Sequence, residues 1–82
     1  MMQPLVDQFL DHLRAERGLS AHTVAAYGRD LRGFAEAMAR AGLRSVNEIR
    51  RRHLIDFLLE EREGGRRPST VGRRLAAIKT FL

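Results

Sequence analysis

Cysteine and tryptophan are absent from this chain of 82 residues, and proline occurs only twice. Without cysteine there are no disulfides and no thiolate metal ligands, which excludes a small secreted domain stapled by cross-links. The three histidines, His12, His22 and His53, are scattered and form no HExxH or HxxxH pair, so no metal site is expected. No apolar run exceeds a few residues, far short of a bilayer span. The opening stretch MMQPLVDQFLDHL has no basic region leading into an apolar one. No signal peptide is read, and a cytoplasmic protein is expected.

What is present is a globular composition, 44% hydrophobic and 30% charged. The length allows one small domain, residues 1–82, with little room for an enclosed active site. The net charge of +5 is unevenly spread. Residues 1–40 carry five arginines and five acids, which cancel, whereas residues 41–82 carry ten basic residues and five acids. Arg66, Arg67, Arg73, Arg74 and Lys79 follow one another in residues 66–82 without a single acid. A basic patch this local points to an anionic partner, most often nucleic acid. It lacks the Trp/Phe-rich face that would insert into a membrane surface.

Hydrophobic spacing predicts four helical segments, divided at Gly18, Gly42 and Gly64-Gly65. The first runs from Pro4 to about Arg17, with Leu5, Val6, Phe9, Leu10 and Leu13 on one side. Asp7 and Asp11 early in it and Arg14 and Arg17 late suit the helix dipole. Ser20 is a good N-cap for the second segment, whose stripe reads Val24, Tyr27, Leu31, Phe34, Met38, Ala41. Gly28, Ala35 and Ala39 beside the stripe would let another helix come close. In the third region Leu43, Val46 and Ile49 suggest an apolar turn. A helix from about Arg51 to Glu63 is then expected to bury Leu54, Ile55, Phe57 and Leu58. Arg50, Arg51 and Arg52 oppose its dipole. The fourth opens near Pro68 and Ser69 and turns Val71, Leu75, Ile78 and Leu82 inward. No capping signal follows Leu82, so a piece of a longer protein is expected. With no sustained period-two pattern, the fold class is all-α, a compact arrangement of four helices.

Nothing in the pattern supports catalysis by this chain alone. Tyr27 falls in the core stripe. Glu60, Glu61 and Glu63 read as a solvated tail, and Gly64-Gly65 lacks the ending of a phosphate loop. Neither a cofactor nor a small-molecule substrate is expected.

The starts of the second and fourth helices share one chemistry. Ser20-Ala21-His22-Thr23 and Arg66-Arg67-Pro68-Ser69-Thr70 offer short hydroxyls, free backbone N–H groups and the positive end of a dipole, which together suit phosphate. Plain capping would also explain Ser20 and Ser69. Opposite the stripe of the second helix project His22, Ala26, Arg29 and Arg40. On the fourth, Ser69, Arg73 and Thr80 project outward, flanked by Thr70 and Arg74. Small residues, hydroxyls and arginines on one face suit a helix lying in a major groove.

The run Gly18-Leu19-Ser20-Ala21-His22-Thr23-Val24-Ala25-Ala26-Tyr27-Gly28-Arg29-Asp30-Leu31-Arg32-Gly33-Phe34 resembles the opening of the core-binding domain of Xer-type tyrosine recombinases. Pro68-Ser69-Thr70-Val71-Gly72-Arg73-Arg74-Leu75-Ala76-Ala77-Ile78-Lys79-Thr80-Phe81 resembles a second block of that family, in the expected order. Arg67 departs from the serine usual before the last helix, which could shift its start to Ser69, and Ala76 departs from a common serine.

The resemblance implies a SAM-like N-terminal integrase domain with its last helix truncated. Such a domain forms half of a C-shaped clamp on a double-stranded recombination site, where protomers assemble into a synaptic complex. The other half would hold the catalytic residues and rejoin DNA without metal or ATP. None of those positions falls in this chain, and Tyr27 is not the nucleophile. DNA contacts are expected from His22, Thr23, Ala26, Arg29, Arg66, Arg67, Ser69, Thr70, Arg73 and Arg74, in a nucleoid-associated protein. Two other readings stay open. A helix-turn-helix regulator needs a turn shorter than the charged joint Arg62–Arg67. A helical protein-interaction module would show an exposed apolar patch.

Overall fold

The computed structural model describes residues 2–82. It is all-α: four α-helices and one short 3-10 turn follow one another along the chain. The first helix, α1, spans Gln3–Glu16, with a proline in its first turn. It ends at Arg17, after which Gly18 takes φ +62°, a left-handed conformation that glycine adopts at no steric cost. The second, α2, spans Ala21–Arg40. Its start is fixed by Ser20, whose Oγ accepts the Thr23 N–H at 3.2 Å and lies 3.0 Å from the Thr23 hydroxyl. Gly42, at φ +87°, turns the chain at its other end.

The apolar turn expected around Val46 is a 3-10 helix, Val46–Glu48, held by a capping box. The Glu48 carboxylate accepts the N–H groups of Arg44 and Ser45, both at 3.1 Å. The third helix, α3, spans Arg51–Glu63, and α4 spans Pro68–Phe81. The arginines opposing the dipole of α3 are accommodated by a different cap. The Arg50 N–H donates to His53 Nδ1 at 2.8 Å, and the Arg50 guanidinium folds back onto the Asn47 carbonyl at 2.7 Å. Arg67 stands at the N-cap of α4 without a capping side chain, and the helix begins at Pro68 rather than shifting to Ser69.

The long helix α2 is the centre of the fold. It packs against α1 on one side and α4 on the other, and α3 closes over α2 and α4. Val6, Leu10 and Leu13 of α1 meet Val24, Leu31, Phe34, Ala35 and Met38 of α2, with Phe57 of α3 and Ala77 and Ile78 of α4. Gly28 is buried beside α1: a Cβ built there would lie 3.2 Å from Leu10 Cδ1, so the small residue does permit close approach. Phe34 and Phe57 stack edge to face at 5.3 Å, and Phe9 and Phe81 do so at 5.5 Å. The stripe of α2 is buried as the spacing predicts up to Met38, except that Tyr27 is only half-buried and Ala41 is exposed.

Helix α3 departs from expectation. Only Phe57 is fully buried, and Leu54 and Leu58 are partly covered. Ile55 is 44% exposed, as is Leu59 at 46%. Leu5 and Leu82 are likewise exposed rather than inward. The helix contributes a narrow edge to a small core, so its second apolar row finds no partner among the described residues. Among those residues, no helix is long and apolar enough to cross a membrane.

Candidate nucleic-acid interface

A groove of about 580 Å³ runs along the outer side of α2, where that helix faces the end of α3 and the beginning of α4. Arg29, Arg32 and Arg40 line it from α2 together with Glu36, Arg66 and Arg74 line it from the start of α4, and Glu60 and Glu61 line it from α3. Gly33 keeps the wall low on α2; no heavy atom of the described residues lies within 4 Å of the place its Cβ would occupy. The groove therefore joins the outward face of α2 to the basic start of α4, which are 26 or more residues apart in the chain.

Of the residues singled out from the sequence, the groove brings together Arg29, Arg66 and Arg74. His22, Ser69 and Arg67 are exposed beside helix starts, and Thr23, Ala26 and Thr70 are half-buried. Thr23 is occupied with Ser20 as part of the cap of α2. Thr80, read as outward, bonds back to the Ala76 carbonyl at 2.9 Å.

The basic stretch from Arg66 onward has no acid in its sequence, but the fold supplies two. Asp30 of α2 is completely buried and accepts two hydrogen bonds from Arg73, from Nε at 2.8 Å and from Nη2 at 2.9 Å. Arg74 Nε lies 3.3 Å from Asp30 Oδ1, the oxygen that also accepts from Arg73 Nη2, and Arg74 Nη1 donates to Glu61. Glu61 also accepts from Arg66 Nε at 3.1 Å. The chain Arg73–Asp30–Arg74–Glu61–Arg66 thus ties α2, α3 and the start of α4 together. Glu61 belongs to the tail read as solvated, yet its side chain is 13% exposed and bridges two arginines. The patch that is one-signed along the chain is mixed in space.

These pairs sort the arginines. The Arg74 side chain is 13% exposed; its Nη1 donates to Glu61, while its buried Nε lies 3.3 Å from Asp30 Oδ1 and makes no hydrogen bond among the described residues. Arg73 remains 42% exposed, and among the described residues its Nη1 has no partner. The two hydrogen bonds to Asp30, then its charge, raise the Arg73 pKa above the ordinary arginine value, so this cation is permanent. Sequence reasoning missed Asp30. The signal was there, however: a carboxylate between Tyr27 and Phe34, at helical spacing from both, in a stripe that is otherwise apolar.

A model of the phage integrase N-terminal SAM-like domain matches residues 6–82. The chain belongs to that family. It is 41% identical over 80 residues to the tyrosine recombinase XerC of Roseiflexus castenholzii, covering 98% of this chain and 26% of that protein. It is 40% identical over 81 residues to the tyrosine recombinase XerD of Listeria monocytogenes, with 98% and 27% covered. The XerC of Pelobacter propionicus is 42% identical over 88 residues, with 98% and 28% covered. The chain therefore spans about a quarter of the length of the curated relatives it matches. No solved structure gives a significant match.

Family membership removes the helix-turn-helix regulator, which loop length does not. The joint between α3 and α4 is only Gly64 to Arg67, shorter than the sequence suggested.

Proposed function

We propose that this domain binds duplex DNA as the N-terminal domain of a site-specific tyrosine recombinase. The observation that carries the reading is the groove in which Arg29 and Arg40 of α2, which have no ion-pair partner among the described residues, face the basic start of α4, with Glu36 the one acid on the α2 wall. An interior ion-pair network has no need of them, and two unpaired cations on one wall suit a phosphate backbone. Arg67, Ser69 and Arg73 are exposed outside the groove and are assigned to the same DNA-binding surface on this reading. Arg74 is assigned to the fold rather than to DNA, because its guanidinium is nearly buried between the carboxylates of Asp30 and Glu61. His22, Thr23, Ala26 and Thr70 belong to the flanks of the surface, where small or polar side chains let the duplex approach.

The catalytic steps fall to the rest of the recombinase, in a nucleoid-associated, cytoplasmic protein. Assembly with other protomers on DNA is part of the same reading. The exposed Ile55 and Leu59 of α3 give those protomers an apolar surface to cover. Titration of a labelled duplex with the chain tests the proposal. With about four phosphate contacts, log affinity falls against log salt with a slope of about −3.6, at about −0.9 per contact. An affinity indifferent to salt would defeat it.

A further inference from the structure

Asp30 is a fully buried carboxylate on the helix face beside the proposed DNA surface, a costly place for a negative charge. Two features show how the fold uses it. The first is the bidentate fork: Asp30 takes Arg73 Nε and Nη2, which fixes both the plane and the direction of the guanidinium. The nitrogen left over, Nη1, points away from a carboxylate bound in this way and has no partner among the described residues. The second is Arg74, a nearly buried cation whose Nε lies 3.3 Å from Asp30 Oδ1 without a hydrogen bond, so Asp30 has a second positive charge beside it while Arg73 supplies its hydrogen bonds.

We propose that Asp30 is a positioning residue for DNA binding, holding Arg73 so that its free Nη1 meets a phosphate of the duplex. This rests on the DNA-binding reading above. An arginine on a flexible stem must be frozen when it binds, and this one is frozen beforehand. The network of Asp30, Glu61, Arg66, Arg73 and Arg74 carries two negative and three positive charges, leaving one cation in excess at the surface.

The proposal makes a prediction opposite in sign to simple electrostatics. Asp30→Asn removes a negative charge and releases Arg73, so charge alone would tighten binding to DNA. Positioning requires the reverse. In titrations of a fluorescein-labelled duplex, Asp30→Asn should bind about fivefold more weakly, the order of cost for immobilising one long side chain on binding. Equal or tighter binding by a variant that circular dichroism shows to be helical overturns the inference.

If Asp30→Asn does not fold, Arg73→Lys decides. Net charge is unchanged and Arg74 still pairs with Asp30, but an ammonium cannot be clamped by two parallel bonds. The same fivefold loss supports positioning, and wild-type affinity at the same salt overturns it. The wild-type titration separates the two levels: if the unaltered chain binds no duplex, the DNA reading falls and takes this inference with it. If the unaltered chain binds and neither variant weakens it, only the role of Asp30 falls.

Discussion

The guanidinium of Arg73 donates two hydrogen bonds to the carboxylate of Asp30, 43 residues earlier in the chain. This pair fastens α4 to α2 at the edge of the core, and Arg74 and Glu61 extend the fastening to α3. A core this small has little surplus stability, so a few polar contacts between helices weigh heavily.

Arg74→Ala should be the most damaging single arginine change. It leaves Glu61 with only the exposed Arg66 and Asp30 with only Arg73, in a site that water reaches poorly. Both acids keep one arginine, so the loss is that of a hydrogen bond to a charged group and a neighbouring cation, about 1.5–3 kcal/mol. At about 4 °C or more per kcal/mol for a domain of this size, the melting midpoint should fall by about 6 °C or more. Thermal melts followed at the helical band check this, with Arg29→Ala as the control that should leave the midpoint nearly unchanged.

The pH dependence of the Arg73–Asp30 pair has a definite sign on the basic side. A guanidinium whose pKa is raised by folding contributes its full stabilisation below the ordinary arginine value and loses it only as pH climbs through the raised one. The difference in melting midpoint between the wild type and Arg73→Gln should therefore stay constant from about pH 7 to about pH 10. A difference that shrinks over that interval would mean that another group sustains the pair.

Two glycines should respond in opposite directions. Gly72 lies within α4 with ordinary helical φ, and no heavy atom of the described residues is within 4 Å of its missing Cβ. Gly72→Ala should stabilise by about 0.5–1 kcal/mol through helix propensity and the unfolded chain. Gly65 turns the chain between α3 and α4 at φ +87°, so Gly65→Ala should cost about 1–2 kcal/mol despite equally open space. Paired denaturant titrations check both, and a stabilising Gly65→Ala would contradict the turn described here.

Which parts of the molecule were legible in sequence follows from how far apart the interacting residues are. The helices, the Ser20 cap and the turns at Gly18 and Gly42 depend on neighbours within a few positions, and spacing alone predicts them. The closeness of α1 and α2 at Gly28 was legible for the same reason, as a small residue at a definite place on a stripe. The partners of Asp30 were not, because nothing local distinguishes an arginine that will turn inward from one that will meet solvent. Arg73 and Arg74 are adjacent, yet one is largely covered and the other keeps a free edge. Glu61 was misread for a related cause: a carboxylate in an acidic tail reads as solvated unless the arginines from the next helix are already in place. The exposure of Ile55 reflects the narrow contact of α3, which no helical wheel records.

Arg29 is the sharpest probe of the DNA surface, since it serves no purpose visible within the fold. It is exposed on the outer side of α2, lines the groove, and takes part in no ion pair among the described residues. Arg29→Ala should leave the stability within about 0.5 kcal/mol of the wild type. Its effect belongs in the salt dependence. Losing one phosphate contact should reduce the slope of log affinity against log salt by about 0.9, and weaken binding most at low salt. Titrations between about 50 and about 200 mM salt, on duplexes of unrelated sequence, would give the slope directly. A backbone contact predicts the same loss on every duplex, whereas a loss confined to one sequence would place Arg29 on a base edge. An unchanged slope would remove the outer face of α2 from the interface.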